Sequence, residues 1–274
     1  ITTDTLKDNN ALNSFKKFNV NRDRVVNLHL PSNTENLLNL IHNEISEING
    51  MLNSIKNGQI GGNVYFLNPH GMMVGSHGVI NVGSLTALTP SQTFMNNFFS
   101  QNNPSSQQIQ AIIDGEVPIN PGATITINGK INATGDINVK SGSVVNTGAI
   151  QSGAVYESSE SDFSDVVNTS GLETGDTYST NENGDIVLTA EKDIENSGEI
   201  VSEGRDNIEG GKIKIEADRD ISLKEGSRVS ARGRGKNSAG GEVVSYADGN
   251  ADFEKGAVID ARGGEISGDG GFIE

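Results

Sequence analysis

Cysteine and tryptophan are absent from the 274 residues, aromatic residues make up 5%, and hydrophobic residues only 34%. The missing cysteine removes disulfides, thiol catalysis and zinc–thiolate sites together. The apolar share lies well below the ~45–50% of an ordinary globular chain, a figure that also counts glycine. A conventional layered core is therefore hard to build. No apolar run reaches the ~18 residues of a membrane-spanning helix. Bases are also in deficit: 20 Lys and Arg stand against 36 Asp and Glu, a net charge of −16. Nucleic acid and anionic membranes need a cationic surplus, so neither is expected as a partner. The deficit is lopsided. Residues 1–120 carry 8 acids and 6 bases, whereas residues 121–274 carry 28 and 14.

What the chain does have is glycine, 34 of them, and short alternating runs such as Ile125-Thr126-Ile127 and Lys212-Ile213-Lys214-Ile215. Such alternation separates it from disordered acidic tails. Gly184, Gly211, Gly241 and Gly271 recur at spacings of 27, 30 and 30 residues. Two residues after each glycine stand Ile186, Ile213, Val243 and Ile273. Six after come Ala190, Ala217 and Ala247, and ten after come Ile194, Ile221 and Ala251. Further on, Val229, Ala231 and Gly233 answer Ile259, Ala261 and Gly263.

A fixed period of that length signals a solenoid or a propeller. Each unit holds three alternating stretches separated by turn residues, which reads as three strands per rung. A propeller blade needs four strands and a longer unit. The fold class expected is all-β, a right-handed parallel β-helix. An N-terminal cap and extra-helical hairpins or short helices complete it. The same alternation appears in residues 117–150, through Ile125, Ile127, Ile131, Ile137, Val139 and Val144, and in residues 63–89. Residues 157–209 hold 15 acids and 2 bases. Within them, 157–183 lack alternation and read as a surface excursion.

Two segments depart from this pattern. In residues 35–56, Leu37, Leu38, Ile41, Ile45, Ile48, Leu52 and Ile55 fall at helical spacing, with Thr34 as a possible N-cap. A strand pair split at Asn49-Gly50 reads equally well. Residues 105–114 read as a short helix after Pro104. At the start, residues 1–30 are the candidates to cover the first rung, with Leu28 and Leu30 as its apolar lid.

The chain resembles a known family in "SFKKFNV" at 14–20, "GGNVYFLNPHGMMVG" at 61–75 and "VINVGSLTALTP" at 79–90. These look like the amino-terminal two-partner secretion domain of filamentous-haemagglutinin-type exoproteins of Gram-negative bacteria. The likeness runs over roughly residues 14–150. His70 stands where Asn is usual in the family's turn. The resemblance implies residues 1–150 as the secretion domain. Residues 151–274 then continue the β-helix in rungs of 27–30 residues, ending in an unfinished rung at Gly271-Phe272-Ile273-Glu274. It implies a secretion-targeting domain of a large surface adhesin and virulence factor. The partner would be a dedicated outer-membrane β-barrel transporter with periplasmic POTRA domains, and the domain would nucleate β-helix folding outside the cell. Absent downstream regions would meet the host surface or matrix. The route runs through the periplasm to the cell surface or medium, after removal of a signal peptide. A start at Ile1 rather than Met fits such processing, and a cysteine-free chain suits crossing the periplasm unfolded. Asn68, Pro69, His70, Gly71, Asn81 and Gly83 would carry transporter recognition. The domain is expected to be a monomer with no catalytic residue, metal or cofactor.

Asn68-Pro69-His70-Gly71 is first of all a β-turn, since Pro presets φ and Gly supplies freedom. A rigid turn also makes a recognition handle. His70 and His77 lie seven apart with no acid or Cys between them, and His29 and His42 stand alone, so no metal site is read. Asp248, Asn250 and Asp252 begin like a calcium loop, but Phe253 replaces the needed Gly and Ile259 the terminal Glu. Asn132-Ala133-Thr134 and Asn168-Thr169-Ser170 match the glycosylation acceptor pattern. Arg228, Arg232 and Arg262 with Asp260 could lie on one face, and are read as ladders of solvated charge rather than a catalytic cluster. Two alternatives stay open: a polysaccharide-active β-helix enzyme, and a host-binding adhesive module in its own right.

Overall fold

The computed structural model describes residues 1–3, 5–100, 104–153, 184–205 and 207–274. The acidic stretch 157–183 and the Asn168 acceptor site lie outside the described residues. Three sheets form the walls of a parallel β-helix. The first contains Asn36–Ile41, Asn63–Leu67, Ser84–Leu88, Ile137–Ser141, Ile186–Ala190, Lys212–Ala217 and Glu242–Ala247. The chain passes from each of these to a strand of the second sheet, then one of the third, and returns one rung further on. Among the described strands every pairing is parallel except two short antiparallel ones, Leu6–Lys7 on Asn10–Phe15 and Gln59–Ile60 on Met51–Lys56.

The repeat frame reappears as register. Ile137, Ile186, Ile213, Val243 and Ile273 pair in succession in the first sheet. Val144, Ile194, Ile221 and Ala251 do so in the second, and Ile131, Ile150, Ile200, Val229 and Ile259 in the third. Side chains alternate inward, so like stacks on like down one narrow core. Each fully buried Ile or Val contributes roughly 1.5–3 kcal/mol. This is how a chain poor in hydrophobics still builds a dry interior.

The corners are set by glycine. A Cβ on Gly211 would press on the carbonyl oxygen of Gly184, one on Gly241 would overlap that of Gly211, and one on Gly271 that of Gly241. A second such column runs through Gly78, Gly129, Gly148 and Gly198. Successive backbones touch there with no room for a side chain.

Residues 35–56 are neither helix nor hairpin. They form Asn36–Ile41, Ser46–Ile48 and Met51–Lys56, one strand in each sheet, and Asn49-Gly50 is a corner between the second and third. Thr34 caps no helix; its hydroxyl donates to Pro31 O at 2.8 Å within a turn. The helical spacing arose because Asn36–Ile41 is apolar on both faces. Leu37 and Ile41 enter the main core, while Leu38 and Leu40 face outward into a second cluster. That cluster is closed by two helices, α1 (Gln92–Ser100) and α2 (Ser106–Ile113), through Met95, Phe98, Ile109 and Ile112. The expected helix at 105–114 is α2, started by a Ser105–Gln108 capping box. The longer α1 was not expected.

The first rung is covered. Leu6–Lys7 pairs along the outer edge of Asn10–Phe15. Ile1 lies against Val25–Leu30, its amino group donating to Asn27 O at 2.6 Å and its carbonyl accepting from His29 N at 2.8 Å. Leu28 and Leu30 are buried in the core beside Phe18 and Val20. Phe18 packs between Phe15 and Phe66, with ring centroids 5.0 and 5.4 Å apart.

Deleting residues 1–30 should expose the edges of Asn36–Ile41 and Met51–Lys56 and produce aggregates in size-exclusion chromatography. A soluble, folded deletion product would refute the cap. Gly241→Ala should lose about 1–3 kcal/mol in urea unfolding through overpacking. Gly270→Ala, where a Cβ would meet open space, should cost little.

Candidate functional site

Asn68-Pro69-His70-Gly71 forms the corner between Asn63–Leu67 and Met72–Val74. Gly71 N donates to Asn68 O at 3.1 Å, closing the turn, and His70 N donates to Asn68 Oδ1 at 2.9 Å. The Asn68 amide points back to the preceding rung, where Nδ2 donates to Glu44 O at 2.8 Å and Ser46 Oγ at 3.0 Å. Gly71 has φ +101°, and a Cβ there would collide with the carbonyl of Thr124 on the following rung. The turn is thus clamped from both sides.

The next rung repeats the device. Asn120-Pro121-Gly122 forms a second Asn-Pro turn, with Gly122 N donating to Asn120 Oδ1 at 3.0 Å. Asn120 Nδ2 donates to Pro69 O at 2.7 Å, so one Asn-headed corner sits on the other. Asn120 was not among the expected site residues. The sequence signal was present, since Asn120-Pro121 repeats the Asn-Pro dipeptide downstream and a Gly follows it.

Of the six candidates only His70 is exposed; Asn68, Pro69, Gly71, Asn81 and Gly83 are buried. The His70 ring Nε2 lies 3.0 Å from His42 O. The His42 ring stacks on Phe99 of α1 at 3.6 Å between centroids and meets Ser14 Oγ at 2.7 Å. Burial lowers the His42 pKa. Asn81 lies in the third sheet, inside a ladder of amides. Asn53, Asn81 and Asn132 each donate Nδ2 to Oδ1 of the asparagine one rung before, at 3.0, 2.9 and 3.0 Å, starting from Asn27. Gly83 is at the corner into the first sheet, where a Cβ would press on Gly62. The candidates therefore share one rung but occupy different walls, and they form no single surface patch.

The charged residues of the later rungs differ from a solvated ladder. Glu203 is buried and held by Arg228, Arg234 and Ser230. Asp260 is buried and accepts three bonds from Arg262, from Nε at 2.8 Å, Nη2 at 2.7 Å and the backbone N at 3.1 Å. The Arg262 guanidinium outweighs burial and holds the Asp260 pKa down at about 2. Arg232 adds to that pull. Tertiary folding brings Glu203 to Arg228 and Arg234, whereas Asp260 and Arg262, two residues apart, pair locally.

A family model described as the TPS secretion domain matches residues 1–245. Among solved structures, the crystal structure of the HMW1 secretion domain from Haemophilus influenzae is similar to the chain. It shares 20% identity over 98% of this chain and 90% of that one, with a TM-score of 0.44. No curated protein matches the chain.

Because the folded pKa of Asp260 is depressed, its stabilisation is full above the ordinary carboxylate value and is lost as pH falls toward about 2. Asp260→Asn should therefore lower the melting temperature at pH 7, and the gap from wild type should shrink between pH ~4 and ~2. A gap that stays constant over that window would remove the ion pair from the account.

Proposed function

Because this chain belongs to the TPS secretion domain family, which it matches over residues 1–245, we propose that it targets a large bacterial exoprotein for secretion by offering residues 63–90 to a dedicated outer-membrane β-barrel transporter. The family match carries the targeting role. What supports recognition before folding is burial. Asn68, Pro69, Gly71, Asn81 and Gly83 are enclosed in the folded rung, so a partner reaches them as a set only while the chain is extended. The absence of cysteine leaves no covalent lock on an early fold.

In this reading the periplasmic POTRA domains of the transporter hold the extended segment. Once it emerges at the cell surface, the Asn68 corner closes and the rungs stack. The cap around Ile1, Leu6–Lys7 and Phe18 seals one end, so rungs are added in one direction, and each addition buries aliphatics and opposes backsliding. Recognition is assigned to residues 1–150 and elongation to 151–274. That is a division of labour, since the three sheets run on through residue 150. Adhesion to host surface or matrix is the downstream activity this reading favours, and the domain itself works as a non-enzymatic monomer without a cofactor. A polysaccharide-cleaving alternative would draw on Glu203 and Asp260, and both carboxylates are bound to arginines.

Asn68→Ala removes two donated bonds and the acceptor for His70 N, and Gly71→Ala forces a Cβ against Thr124. Each should cut export sharply, scored as protein in the medium from cells carrying the partner transporter. Normal secretion of both variants would remove the turn from the mechanism.

A further inference from the structure

We propose that a groove on the outer face of the first sheet, beside α2, binds a single uncharged or amino hexose unit of a glycan. The site is independent of the secretion reading. It arises from a step in the fold. Helices α1 and α2 cover the outer face of the strands from Asn36–Ile41 to Ser84–Leu88 and then stop. At the step lies a cavity of about 340 Å³, lined by Tyr65, Asp136, Asn138, Asp185, Ile113 and Val187.

Four of these side chains have hydrogen-bonding capacity left over. Tyr65 is 7% exposed, and its hydroxyl has no hydrogen-bond partner among the described residues. The ring is buried while the hydroxyl is not among the side-chain atoms sealed from solvent, so it is free to donate to an oxygen in the groove. Burial, and the nearby charges of Asp114 and Asp136, raise its pKa and keep it protonated. Asp136 Oδ1 accepts from Asp185 N at 2.9 Å, and Asp185 Oδ1 accepts from Lys212 N at 3.1 Å. The second oxygen of each carboxylate has no hydrogen-bond partner among the described residues. The Asn138 amide is likewise without one, and it can donate and accept at once.

Among the other lining residues, Ile113 and Val187 are half-buried aliphatics. A hexopyranose matches this set. Its C–H face lies on the aliphatic pair, its hydroxyls donate to carboxylate oxygens, and its ring or hydroxyl oxygens accept from Tyr65 and Asn138. No cation lines the groove, and the nearby Lys140 ammonium donates to Gly115 O at 3.1 Å. Two carboxylates at the rim repel uronates and sialylated ends and favour a neutral or aminated sugar. The volume is at the lower end for ligand pockets, which suits one ring rather than a long chain segment.

The test titrates the folded, purified chain with maltotriose, with the free-amine form of chitotriose and with trigalacturonate, by calorimetry and amide NMR. Binding of either non-anionic trisaccharide, in the millimolar range and without binding of trigalacturonate, is expected. Tyr65→Phe and Asn138→Ala should each weaken it about fivefold or more, the worth of one hydrogen bond. Both variants should keep the circular dichroism and melting temperature of the wild type, since neither removes a bond within the fold. No binding of any of the three at about 10 mM, tightest binding of trigalacturonate, or wild-type affinity in both variants would each overturn the proposal.

Discussion

Successive turns of this chain lie one strand spacing apart, about 4.8 Å, and at the corners the two backbones meet with no side chain between them. That contact dictates the rest. It demands glycine in columns such as Gly184, Gly211, Gly241 and Gly271, and again in Gly78, Gly129, Gly148 and Gly198. It aligns equivalent residues, so that Ile falls on Ile inside. It also brings amides within hydrogen-bond reach from rung to rung, which turns Asn27, Asn53, Asn81 and Asn132 into a ladder. A buried asparagine is costly when unpaired, and this stacking matches each one with its neighbour.

The Asn68 corner is a local case of the same rule. Its amide holds the rung before, its proline carbonyl is held by Asn120 from the rung after, and Gly71 leaves room for Thr124. A turn of this kind becomes rigid only when its neighbours are in place. Extended, the segment is an unmasked string of turn and strand residues; folded, it shows solvent little but His70. Recognition and folding can therefore draw on the same residues at different times.

Much of this was readable in one dimension because the fold is itself close to one-dimensional. The glycine frame after residue 184 predicted the pairing of Ile186, Ile213, Val243 and Ile273 residue by residue. The helix at 105–114 carried its own capping box. The Asn68 turn was legible from Pro and Gly alone. Residues 35–56 were not, because periodicity assumes one buried face. The strand Asn36–Ile41 buries both, one in the core and one under helices that lie some fifty residues further along the chain.

By itself the sequence determined the architecture: repeat length, the three-strand rung, the inward positions, and the turn at Asn68-Pro69-His70-Gly71. Each of these depends on local periodicity or on the conformational limits of Gly and Pro, which a linear chain displays. Tertiary structure alone decided which side of each residue faces what. It buried Asn81 in a ladder rather than offering it to solvent, set Asn120 on Pro69, and seated Glu203 against Arg228 and Arg234. It also left the Tyr65 hydroxyl facing a groove at the edge of the helices. Those outcomes follow from contacts between residues tens of positions apart, and their energies exist only once the rungs are stacked.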